Sequence, residues 1–147
     1  MTENRQERIR RWAEETKLRM VRLYRESLLD LLEACQNSAQ SITSGGVLIE
    51  GRIPVLSSDL INSLVSEVNG AGVAEGPASY SSAISAFDPN DGDTARFSWT
   101  MEYAHRVNSG FSGTDSLGRT FDQPGWQYVS YNVAQWSSIV AMRAATV

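Results

Sequence analysis

Cysteine is nearly missing: Cys35 is the only one in 147 residues. That excludes a disulfide within the chain and a cysteine-based zinc cluster, and it reads as a protein that folds in a reducing cytoplasm. Histidine is as scarce, with His105 alone. Histidine-rich metal sites are thereby removed, and one imidazole is left for acid–base chemistry. No apolar run approaches the roughly 18 residues of a membrane-spanning helix. The opening MTENRQERIRRW has basic residues with no apolar stretch behind them, so no secretory signal is expected. Neither glycine nor proline occurs before residue 45, and no repeat or low-complexity tract is visible.

An uncompensated basic surface is also lacking. The net charge is −4, and it is unevenly spread. Residues 1–33 hold eight basic and seven acidic side chains, whereas the remainder holds five basic and ten acidic. Every basic stretch is interleaved with acids, which describes a solvated, salt-bridged helix face and not a DNA-gripping one. Apolar content of 41% and charged content of 20% place the chain among globular proteins, as one domain over 1–147.

What is present begins with a helix. Ile9, Trp12, Ala13, Met20, Leu23, Tyr24, Leu28, Leu31, Leu32 and Cys35 recur at steps of three and four and predict one long helix over 3–40, capped by Thr2 or Asn4. Such a helix is longer than a body of this size can cover, so its charged first turns, with Arg8 and Trp12, are expected to project and pack on a partner subunit. Cys35 on the stripe reads as a packing residue. Ser44-Gly45-Gly46 ends the helix, and 47–55 reads as an edge strand or connector. A second helix is expected over 57–68, closed by Asn69-Gly70. Two strands, 78–87 and 95–101, form a hairpin around the acidic turn 88–94. Residues 102–110 make a short helix or a strand end. A C-terminal helix over 124–145 starts after Pro124. The expected class is α+β: a long N-terminal helix as a possible projecting arm (1–40), and a body (47–147) with a short helix, a small antiparallel sheet and a terminal helix.

The segment GFSGTDSLGRTFDQPGW, 110–126, resists a catalytic reading. Gly110, Gly113, Gly118, Arg119 and Thr120 are spaced faintly like a phosphate loop, but Lys is missing before the Thr and no helix follows. His105 would meet Asp115 or Ser116 only by tertiary coincidence. Asp88, Asp91 and Asp93 lack a calcium-loop pattern and read as solvated turn residues, with weak cation binding as the lesser alternative. What the segment does offer is Phe111, Leu117, Phe121 and Trp126 with Arg119, the residue types that anchor protein interfaces. The alternative is that they cover the domain's own core.

Residues 102–136, EYAHRVNSGFSGTDSLGRTFDQPGWQYVSYNVAQW, resemble the C-terminal part of tail-completion (neck, head–tail joining) proteins of long-tailed bacteriophages. The match runs through Tyr103-Ala104, Gly110-Phe111, Asp115-Ser116-Leu117-Gly118-Arg119, Phe121, Gln123, Gly125 and Gln135-Trp136. A weaker match upstream keeps Pro54, Val55, Leu60 and Ser63 of a related tail-component motif, but has Leu56 for Asp, Ser57 for Thr and Ser58 for Gly. The resemblance implies a structural virion protein at the neck, assembled in the host cytoplasm. It implies a homo-oligomeric ring, usually sixfold, that contacts the tail tube protein and the connector or stopper below the portal. DNA passes through the lumen without specific binding; no catalysis, cofactor, metal or membrane is involved. On this reading Phe111, Asp115, Leu117, Arg119, Phe121, Trp126, Trp12 and Arg8 carry ring contacts, and Asp88, Asp91 and Asp93 face the lumen or tube. The alternatives are another neck component, adaptor or stopper, or a small cytoplasmic hydrolase using His105.

Overall fold

The computed structural model describes residues 3–114 and 116–147. Its first element is the helix α1 (Arg5–Cys35). Asn4 caps it by a reciprocal box: its side chain accepts from the Glu7 amide at 2.8 Å, and the Glu7 carboxylate accepts from the Asn4 amide at 3.2 Å. With 31 residues, α1 is about 46 Å long at 1.5 Å per residue. It ends earlier than the expected residue 40 because Gln36 leaves the helix to serve three partners. Its Nε2 donates to the carbonyls of Ile61 and Pro77, and its Oε1 accepts from the Trp99 indole. Ser38–Gln40 then becomes strand β1, parallel to β2 (Ile53–Val55), with a 3-10 turn (Ile42–Ser44) between them.

The body departs from expectation in several places. The segment 57–68 is not one helix: α2 (Asp59–Asn62) stops at Ser63, and β3 (Leu64–Val68) follows as the centre of a three-stranded sheet. Leu60, Leu64 and Val68 fit a helical stripe, but the same stretch also alternates, with Leu64 and Ser66 buried. Asn69 and Gly70 have φ of 54° and 79°, which is the two-residue turn joining β3 to β4 (Ala71–Glu75) rather than a helix end. The expected strand 78–87 is the helix α3 (Tyr80–Ala86); Tyr80, Ala83, Ile84 and Phe87 have helical spacing, and Ala83, Ile84 and Phe87 are buried. Strand β5 (Ala95–Trp99) forms as expected but pairs with β3, so the sheet order is β4-β3-β5, all antiparallel. The acidic turn therefore links a helix to a strand and is not the tip of a hairpin.

After α4 (Ala104–Ser109), the glycine-rich segment, for which no strand was expected, makes a hairpin, β6 (Gly110–Thr114) with β7 (Thr120–Pro124). The expected terminal helix is two: α5 (Ser130–Ala134) and α6 (Trp136–Ala144), preceded by Gln127 at φ 52°. The class is α+β, as read from the sequence.

Two regions hold the body. Ile53, Leu60, Ala104 and Tyr128 form a buried cluster, extended by Trp99, Met101, Val107 and Val129. Trp99 meets Tyr128 edge-on at 5.2 Å. The second region fastens the C-terminal half of α1. Val21, Leu32 and Cys35 are buried there, and Tyr24 touches both Phe87 and Trp136, each at 5.7 Å. Arg143 of α6 forks onto Asp30 at 2.6 and 2.8 Å, with Glu26 at 3.7 Å. That fork holds the Asp30 carboxyl below its usual range, outweighing the opposing effect of burial. Burial pushes the Cys35 thiol up to about 12, which keeps it protonated and fits packing rather than reactivity.

Candidate assembly surfaces

The β6–β7 hairpin is built around a close approach of backbone at its base. The Trp126 amide donates to the Val107 carbonyl at 2.8 Å, and the Gln127 amide to the Asn108 carbonyl at 2.9 Å. A Cβ on Gly125 would lie 2.3 Å from the Asn108 carbonyl oxygen, and one on Gly110 would lie 2.6 Å from the Gln123 oxygen. Both glycines are thus steric requirements of the joint. The Asn108 side chain ties the following chain to it, accepting from the amides of Val129 and Ser130 at 3.0 and 3.2 Å. Asn132 completes the bracing by donating to the carbonyls of Gly51 and Tyr128.

Beyond that joint the hairpin has two strands only, and every residue of β7 is exposed. The Arg106 guanidinium lies over the Phe111 ring at 4.5 Å, which fixes the half-buried ring to α4. Leu117 is 76% exposed and Phe121 37%, whereas Trp126 is only 8% exposed. The four apolar residues therefore divide: Leu117 and Phe121 lie at the surface, and Trp126 is covered by its own chain. Arg119 is exposed and engaged in an interaction of its own. Asp115 lies outside the described residues.

A groove runs between this hairpin and the body. Ile42, Pro54, Val107, Pro124 and Trp126 line its larger part, with Asp122 and Arg106 beside them. It continues, across Tyr103 and Val107, to a second part that reaches Leu60 and Asp59. Burial first, and then the charge of Asp59, push the Tyr103 phenol up.

The second surface is the N-terminal half of α1. Nothing is buried from residue 5 to residue 20. Ile9, Trp12 and Met20 lie along one side of it and are 57%, 67% and 57% exposed. Arg5 and Arg8 share a surface patch with Ile9 and Trp12.

The remaining expected residues are arranged for local structure. Asp88 accepts from the Asn90 amide, and Asp93 accepts from the Asn69 side chain and the Asp88 amide. Those contacts lower the Asp93 carboxyl, the Asn69 bond first. Asp91 is exposed. Among the described residues no group of three or more His, Cys, Asp or Glu gathers as a metal site. His105 is exposed on α4 and has no hydrogen bond or ion pair among them, so no oriented base is formed there. Among them, too, no helix is long and apolar enough to cross a membrane.

Comparison with protein-family models, with curated proteins and with solved structures returns no match for this chain.

Proposed function

We propose that this chain is a structural neck subunit of a long-tailed bacteriophage, a tail-completion protein that closes a sixfold ring between the tail tube and the connector. The observation that carries the reading is the motif segment itself. Gly110 and Gly125, both part of the tail-completion resemblance, are the two glycines whose missing Cβ lets the hairpin join the body. The residues between them present Leu117 and Phe121 on an exposed two-stranded projection. An isolated pair of strands is marginal in water and gains from packing on a neighbour. The exposed Ile9–Trp12 face supplies a second patch, as a head-to-tail ring contact requires.

The acidic surplus fits a duplex that must slide. A wall of like charge does not hold phosphates. Of the three aspartates expected to face the lumen or tube, Asp91 is the exposed one, and Asp88 and Asp93 serve mainly to shape the turn.

Incubation with purified tail tubes, followed by electron microscopy of the tube ends, tests the proposal. Density capping one end of the tube is expected. Binding to portal–connector complexes with none to tubes would move the protein to the adaptor or stopper layer. Binding to neither would overturn the neck reading.

A further inference from the structure

We infer that the exposed half of α1 from one copy seats Ile9 and Trp12 in the groove beside the β6–β7 hairpin of a second copy. The occupant is chosen by charge and shape. Residues 5–20 carry six basic and three acidic side chains, an excess of +3, whereas residues 36–147 carry five basic and ten acidic, an excess of −5. The arm's Arg5 and Arg8 border Ile9 and Trp12. The groove has an apolar floor including Val107 and Trp126, with Asp122 at one part, where Arg106 is turned onto the Phe111 ring, and Asp59 at the other. The Asp122 carboxylate has no ion-pair partner among the described residues. A cavity of about 610 Å³ has room for an indole, and an aromatic anchor in an apolar pocket with charged residues at the rim is the usual form of an interface hot spot.

The arm is not available to its own groove. It continues an unbroken helix whose C-terminal half is packed against α3, α5 and α6, so it cannot fold back without breaking α1. Arm-into-groove contact uses two different patches. Each copy therefore offers one arm and one groove, and the chain of contacts closes into a ring or runs on as a filament. The inference rests on the ring reading and names the contact that builds the ring.

The double variant Arg8→Cys/Asp122→Cys tests it. The native Cys35 is 2% exposed and stays out of the chemistry. Mild oxidation of assembled protein should give a ladder of covalently linked chains up to the ring size, while each single variant gives none. Arg8→Asp and Asp122→Arg should each weaken self-association at least tenfold, and the two together should restore it. All of these positions are exposed, and circular dichroism checks that the variants stay folded. A ring that forms without cross-linking, or that ignores the charge reversals, overturns this contact while leaving the neck reading standing. A cross-linked ring that ignores both tail tubes and connectors overturns the neck reading and supports the contact. A protein that stays monomeric at every concentration and on tubes overturns both.

Discussion

The two halves of α1 share one backbone, one cap and one run of helix-forming residues, yet they sit in different surroundings. From Val21 to the end of the helix, α1 is fastened by buried Val21, Leu32 and Cys35, by the Tyr24–Phe87–Trp136 aromatic contacts and by the Arg143 fork on Asp30. From Arg5 to Met20 nothing is buried, although Ile9, Trp12 and Met20 continue the apolar side. Helical periodicity thus marks a face that seeks cover without saying whether the cover comes from the same chain. Salt bridges do not settle the matter either. Arg11–Glu15 on the exposed half joins two well-solvated groups and Arg11–Glu3 joins one to a partly exposed group just before the helix, and such surface pairs are worth little.

The contrast can be broken most severely from the body side. Tyr128→Ala removes a ring that is 1% exposed and packed on Trp99. A loss of about 3–5 kcal/mol is expected in urea unfolding, with the whole body lost cooperatively. Gly125→Ala forces a Cβ onto backbone atoms that have no room to give. It should cost about 2–3 kcal/mol and show first as loss of protection in hydrogen exchange at the hairpin base.

Asp30→Asn probes the fastened half more gently. The Asp30 carboxyl is lowered by the Arg143 fork, so its contribution is present above the ordinary carboxylate value of 3.8 and is lost as pH falls through its lower folded-state value. The substitution should cost about 1 kcal/mol near pH 7, in the range of partly exposed pairs. The difference from wild type should shrink below about pH 4. A constant difference across that range would show that the fork is not the source.

The smallest effect on stability is expected at Trp12→Ala and Phe121→Ala. Trp12 is 67% exposed, and the single chain should lose no more than about 0.5 kcal/mol. Phe121 is 37% exposed, and its loss should cost about 1 kcal/mol or less. In both variants the folded chain should fail to assemble. If either one unfolds the body instead, that side chain covers its own core.

The parts of the fold that were legible in the sequence rest on local signals. The cap at Asn4, the long stripe of α1 and the alternation of β5 all follow from neighbours in the chain. The misread parts are those where two periods coexist. Leu60 to Val68 satisfies a helical stripe and an alternation at once, and sheet pairing on both sides of β3 decided for the strand. Tyr80 to Phe87 carries a helical spacing beneath a serine-rich surface, and the Asn-Gly turn after Val68 was the stronger hairpin signal in this region.

The candidate surfaces were partly visible for the same reason. Aromatic and arginine residues in a glycine-rich stretch flagged 110–126, but only the folded chain separates buried Trp126 from exposed Leu117 and Phe121. No sequence pattern marks Gln36, Asn108, Asn132 or Tyr128. Their partners lie between 20 and 80 or so positions away in sequence, or in backbone carbonyls that no side-chain pattern advertises.

The most direct test is the native mass of the purified protein, alone and with tail tubes, for wild type and Trp12→Ala side by side. A closed sixfold ring of wild-type chains, in solution or on the tube, and a folded single chain for the variant would bear out the account. A wild-type protein that remains a single chain in both settings would contradict it.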